Sequence, residues 1–185
     1  MTSRGFHPGG WRKRLTGIAL ATCVVLAGCT PEYNWREVVV ADGHVQAVFP
    51  AKVDSETRTL LLAGQTLPFT LAVAQVNQTM FAVGSAPLPS ILGLDRAARE
   101  KLGQALTRSL YTNVGAAVPT PLPSLGEDVA VTGRVGQRTA WVRGRVWVTD
   151  SMVVEAVVSG PGDEASDEEV ATFLRGVQVK GLAGR

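Results

Sequence analysis

The chain has 185 residues, 45% of them hydrophobic, and its 18 basic and 16 acidic side chains give a formal net charge of +2. This length suits one domain whose core is large enough to fold without disulfides or structural metal. Neither internal repeats nor low-complexity tracts occur, which excludes repeat arrays and collagen-like chains.

The N-terminal segment has the charge order of an export signal. Residues 1–14 contain four basic side chains and no acidic one, and an apolar run from Leu15 to Gly28 follows. Basic residues followed by a short apolar run are typical of secretory signals. A spanning helix needs about 20 apolar residues, so this run is too short for an uncleaved membrane anchor.

The apolar run ends in Leu26-Ala27-Gly28-Cys29, which resembles the lipobox of bacterial lipoproteins. The resemblance implies that residues 1–28 are removed and that the Cys29 thiol takes a diacylglyceryl group, with palmitate-type acyl chains holding the protein on a membrane. Thr30, where inner-membrane lipoproteins carry Asp, implies the periplasmic face of the outer membrane. The alternative is an ordinary signal peptide that happens to contain a cysteine.

Removal of residues 1–28 would change the net charge of the chain from positive to negative. It would leave 14 basic against 16 acidic residues, so a nucleic-acid partner loses its support. We expect residues 29–34 to form a short lipidated tether and residues 35–185 a single domain.

The first half of this domain predicts strands and then a helix. The strands are expected at Trp35 to Val40, Val45 to Phe49, Thr57 to Ala63, Leu67 to Gln75 and Thr79 to Val83. Apolar residues then recur at helical spacing and predict an amphipathic helix capped by Asp95. They are Leu94, Ala98, Leu102, Ala105, Leu106 and Leu110.

The second half repeats this order. Strands are expected at Asp128 to Val135, Arg138 to Thr149 and Ser151 to Ser159. Ser166 and Glu169 form a capping box for a helix with Val170, Phe173 and Leu174 on one face, and Val177 to Val179 can close the sheet. The order predicts an α+β domain, mainly an antiparallel β-sheet with two packed helices.

Two segments resemble parts of the PsbP/Mog1-like fold. They are Val48-Phe49-Pro50 near the start and Glu169 to Val179 at the end, the latter preceded by Val153 to Gly160. The resemblance implies an accessory role without catalysis, since most members of that fold are not enzymes.

No residue pattern in the mature chain indicates catalysis, a metal or a cofactor. His44 would be its only histidine, so a multi-histidine metal site cannot be built. The glycine-rich phosphate loops and the serine nucleophile motif do not occur. We therefore predict no catalytic, metal or cofactor-binding residues, and a protein that is not an enzyme.

One strand carries a candidate partner-binding face. Alternation places Trp141, Arg143, Arg145 and Trp147 on one side of the strand from Arg138 to Thr149. Trp and Arg are enriched where proteins meet partners. The alternative is that these side chains cover the sheet or lie under a helix.

Two functions fit these observations. The first is a non-catalytic envelope lipoprotein that acts as an accessory or assembly factor through contacts with an envelope protein. The second is a binding module for an envelope ligand such as a lipid, glycan or peptide, held in a groove between sheet and helix.

Overall fold

The computed structural model describes residues 32–162 and 166–182; the signal segment, the lipobox and Cys29 lie outside them. The strands are β1 (Arg36–Val40), β2 (Val45–Phe49), β3 (Asp54–Leu62), β4 (Gln65–Val76), β5 (Thr79–Pro87), β6 (Val129–Val135), β7 (Arg138–Val148), β8 (Met152–Pro161) and β9 (Gln178–Val179). The helices are α1 (Ser90–Leu94), α2 (Arg96–Thr112) and α3 (Asp167–Arg175). A short 3-10 turn, Ala41–Gly43, joins β1 to β2.

Six strands form the larger sheet, in the order β3-β4-β5-β8-β7-β6, with every neighbouring pair antiparallel. The central strands β5 and β8 carry mainly apolar residues on both faces, and β7 has an apolar face and a face of Trp and Arg side chains. Side chains alternate between the faces of a strand, so both faces of this sheet have to be covered by other elements.

The smaller sheet and α3 cover one face. The smaller sheet has the order β1-β2-β9 and contributes Phe49, while α3 contributes Phe173. The Phe173 ring lies 5.3 Å from that of Phe49 and 5.5 Å from that of Phe81 on β5, in edge-to-face geometry. This aromatic cluster is fully buried, which makes it the centre of the core on this side.

Helix α2 covers the opposite face. The Asp95 carboxylate accepts hydrogen bonds from the amides of Ala97 and Ala98 and so caps the helix. Leu102, Leu106 and Leu110 are buried against the sheet. The C-terminal end of α2 lies beside β6, and the helix also contacts β3 at the other edge, so it crosses the sheet obliquely.

The α+β class, mainly antiparallel and in one domain, is confirmed. Three details differ from the sequence prediction. The strands are arranged as two sheets because β1 and β2 stack across the larger sheet rather than extend it, and β9 pairs with β2. The short helix α1 was not expected, and β5 extends to Pro87.

Residues 32–34, expected to belong to a polar tether, are packed on the domain. The Tyr33 ring stacks on Trp35 with 5.8 Å between the ring centroids. The Asn34 amide donates to the Pro50 carbonyl at 2.7 Å, and the Asn77 amide donates to Glu32. Because these contacts fix the chain from Glu32 onward, the domain begins before Trp35.

Among residues 32–162 and 166–182, no helix has both the length and the apolar character needed to cross a membrane.

Replacing Phe173 with Ala should lower the free energy of unfolding by about 3 to 5 kcal/mol, because it removes the ring that joins α3 to β2 and β5. Chemical denaturation of the chain from residue 29 onward measures this loss. Arg175→Ala, at an exposed position of the same helix, is the matched control and should change stability by less than about 0.5 kcal/mol. Equal effects of the two changes would mean that α3 does not depend on this aromatic contact.

Candidate ligand-binding groove

A groove of about 370 Å³ lies on the α2 side of the larger sheet, beside the C-terminal end of that helix. Its walls are mainly apolar. They come from α2 and the following residues (Leu110, Asn113, Val114), from β4 and β5 (Leu71, Met80, Ala82), from the β6–β7 hairpin (Val135, Ala140, Val142) and from β8 (Glu155, Val157, Ser159). Ligand sites of small molecules are usually concave, mostly apolar and about 300 to 1,000 Å³ in volume, so this groove has the character of such a site.

The groove exists because one helix cannot cover six strands. A helix with its side chains is about 10 to 12 Å wide, whereas neighbouring strands are about 4.8 Å apart, so α2 spans only two or three strands at any level. Where α2 ends over β6 and β7, the neighbouring part of β8, β5 and β4 is left uncovered.

Among the described residues, Glu155 provides the only carboxyl group on the groove wall. It lies on β8 between Gly84 of β5 and Val146 of β7. A Cβ atom built on Gly84 would lie 2.8 Å from the Glu155 Oε1 atom and 2.5 Å from the Phe69 ring. Because Gly84 has no side chain, the Glu155 carboxyl group and the Phe69 ring can occupy the space above it.

The Glu155 side chain is half-buried in mainly apolar surroundings. It has neither a hydrogen bond nor an ion pair with any other residue in the described ranges 32–162 and 166–182. Burial raises its pKa from 4.5 to about 7, and no nearby charge contributes to this shift. A carboxyl group with such a pKa changes its charge near neutral pH, which is more frequent at functional sites than elsewhere.

Sequence analysis did not single out Glu155. The available signal was a lone acidic residue inside the apolar run from Met152 to Val158. Strand alternation cannot separate an outward acidic residue from an inward one when both faces of the strand are apolar, as on β8. The structure resolves this point because Val153 and Val157, on the same face of β8, pack in the core under α2.

The predicted partner face on β7 is mostly an interior surface. Trp141 and Trp147 belong to the core on the α3 side and are 1% and 9% exposed. The Arg145 guanidinium lies over the Trp147 ring and binds the Asp128 carboxylate at 2.5 Å. Arg143, which is half-buried, donates to the Val142 carbonyl at 3.1 Å. This placement matches the alternative interpretation, in which the two indoles are covered by other elements, and it corrects the expectation of an open surface.

The other residues considered from the sequence are not brought together. His44 is exposed in the turn before β2, and its carbonyl accepts from the Lys180 amide. The described ranges contain no cluster of three His, Cys, Asp or Glu side chains that could hold a metal ion. Cys29 lies outside these ranges.

Comparison with protein-family models, curated proteins and solved structures finds no match to this chain. The resemblances to bacterial lipoproteins and to the PsbP/Mog1-like fold stay predictions, and the groove has to be interpreted from its own chemistry.

The raised pKa of Glu155 predicts a pH-dependent stability. The folded state holds an extra proton between the unfolded value of about 4.5 and the folded value of about 7, so stability falls as pH rises through this window. Between pH 4.5 and pH 8 the wild type should lose about 2 to 3 kcal/mol relative to Glu155→Gln, which cannot ionise. Denaturant titrations of both proteins at the two pH values measure this difference. Parallel pH profiles would mean that the Glu155 carboxyl is well solvated.

Proposed function

We propose that this protein is a lipid-anchored, non-catalytic envelope lipoprotein that binds a small apolar ligand in the groove between α2 and the larger sheet. The single observation that carries the proposal is the groove itself. It is an uncovered apolar surface, concave, and wide enough for a small molecule.

The position of the groove relative to the start of the domain supports a role next to a membrane. Glu32 contacts Asn77 in the turn between β4 and β5. Met80 and Ser159, which line the groove, are paired at this same end of the sheet. Cys29 lies three positions before Glu32, a span of at most about 11 Å, so a lipid on Cys29 would hold this end of the domain close to the bilayer.

The membrane would then hold the protein through its lipid and also supply the apolar ligands that the groove binds. A diacylated cysteine adds about 0.8 kcal/mol of membrane affinity for each buried methylene, so two chains anchor stably. A groove near the membrane surface is placed to exchange apolar molecules with it.

The other function predicted from the sequence, an accessory or assembly factor acting through an envelope protein partner, has weaker support. Its candidate surface depended on two exposed indoles, and both Trp141 and Trp147 are buried. We therefore favour ligand binding over protein contact as the main role of this domain.

The groove predicts saturable binding of a neutral apolar dye. The chain from residue 29 onward, with Cys29 replaced by Ser, should bind Nile red with a rise in fluorescence that saturates. Ala140→Phe places a ring inside the groove and should weaken this binding by at least about tenfold, because tenfold corresponds to only about 1.4 kcal/mol of lost contact.

The matched control is Ala130→Phe, the same substitution at an exposed position of the adjacent strand β6. It should leave the affinity for the dye unchanged. Binding that is equal in both variants, or that never saturates in the wild type, would contradict a specific site in the groove.

The lipid anchor predicts that Cys29→Ala releases the protein from membranes, because the substitution removes the only thiol that could be acylated in the mature chain. Cell fractionation and an intact-mass measurement test this, with Thr30→Ala as a control that should stay lipidated. A Cys29→Ala protein that remains in the membrane fraction at the acylated mass would exclude lipidation at this position.

A further inference from the structure

We propose that the groove selects single-chain apolar amines, whose ammonium group pairs with the Glu155 carboxylate while the apolar chain lies along the groove wall. This inference rests on the proposed ligand-binding function and adds the chemical class of the ligand.

The distances fit a ligand with one polar end. Glu155 is level with Gly84, and the groove extends along β8 to Ser159, four residues further toward the end of the sheet. At about 3.3 Å per residue, this path is about 13 Å long. Val157, Ala82, Met80 and Val142 line it. A volume of about 370 Å³ is near the lower limit for small-molecule sites, which favours one short chain over a two-chain lipid.

Charge complementarity identifies the polar end as cationic. The Glu155 carboxylate has no partner in the described part of the chain, and an ionised group in apolar surroundings is unfavourable until it is paired. An ammonium group supplies both the opposite charge and hydrogen-bond donors, and such charge-assisted hydrogen bonds are about twice as strong as neutral ones. An anionic ligand would be repelled, and an alcohol could donate one hydrogen bond to the carboxylate but would bring no opposite charge.

Among residues 32–162 and 166–182, no cationic side chain competes for this position. On the face of the sheet that carries Glu155, the titratable and charged groups of the strands are Glu56 and Arg58 on β3 and Arg138 at the start of β7, and Tyr111 of α2 is buried against this face. Arg143 and Arg145 of β7 alternate with Val146 and so lie on the opposite face. Arg58 is paired with Glu56 and lies three strands from Glu155, at about 14 Å. Arg138 lies eight residues along β7 from Val146, the residue level with Glu155, which is about 26 Å. The charged residues of α2 that flank its buried face, such as Lys101 and Arg108, are exposed.

The pairing predicts a pH dependence of ligand affinity. Because the carboxyl group of the empty groove has a pKa of about 7, it is mostly protonated at pH 6 and mostly ionised at pH 8. Binding of an ammonium group requires the ionised form, so the affinity for an amine should rise with pH over this range, by about tenfold for a single coupled proton. The affinity for a neutral ligand should not rise.

The test compares octylamine, octanol and octanoate, which have the same chain and different heads. Their binding to the chain from residue 29 onward, carrying Cys29→Ser, is measured by calorimetry at pH 6 and pH 8. Octylamine should bind at least about tenfold more tightly than octanol at pH 8, and this advantage should shrink at pH 6. Glu155→Gln should remove the advantage and leave octanol binding unchanged. Glu37→Gln, on the exposed edge strand β1, should behave as the wild type.

The outcomes separate this inference from the proposed function. If octanol binds and octylamine binds no more tightly, or if Glu155→Gln keeps the amine preference, the amine inference is wrong and the groove remains a binding site. Preferred binding of octanoate would also overturn it, because Glu155 would then act as a proton donor. If none of the three compounds binds to the wild type, the proposed ligand-binding function itself fails.

Discussion

The central constraint in this structure is that a six-stranded sheet with two apolar faces has to be covered on both sides by few elements. Strands β5, β8 and β7 carry apolar residues on both faces, so neither face can be left to solvent without a large free-energy cost. The two faces are covered unequally. The smaller sheet and α3 close one of them around Phe81, whereas the other is covered mainly by α2.

This inequality accounts for the groove. A single helix that crosses the sheet obliquely leaves a corner near its C-terminal end, and there small residues such as Ala82 and Ala140 keep the surface concave. Glu155, the one ionisable group that the described residues place on this corner, has its pKa raised by the same apolar surroundings. Glu155 is half-buried there, and apolar surroundings make its charged form less favourable. A bound cation would offset this cost, in keeping with the proposed ligand-binding role.

The groove and the start of the domain lie at the same end of the larger sheet. Contacts of Glu32 and Asn34 fix the beginning of the domain at the surface of the fold, and Glu32 lies at the end of the sheet that the groove reaches. If Cys29 carries lipid, the groove is held near the bilayer, where single-chain amphiphiles accumulate. The proposed anchor and the proposed site would then serve one purpose, since the anchor keeps the groove at the source of its ligand.

The sequence alone determined the local elements and the fold class. The Asp95 and Ser166 caps, the strand alternation and the helical spacing of Leu102, Leu106 and Leu110 are local signals. They predicted α2, α3 and the order of the strands, but not α1 or the full extent of β3 and β5. Only the tertiary structure decided which faces are covered. Trp141 and Trp147 alternate with arginines as an exposed face would, yet they are buried, because the pattern of one strand contains no information on what packs over it. Glu155 is the opposite case, an acidic residue that local rules assign to solvent and that the fold places in an apolar groove, because burial depends on the elements that surround a strand and not on its own sequence.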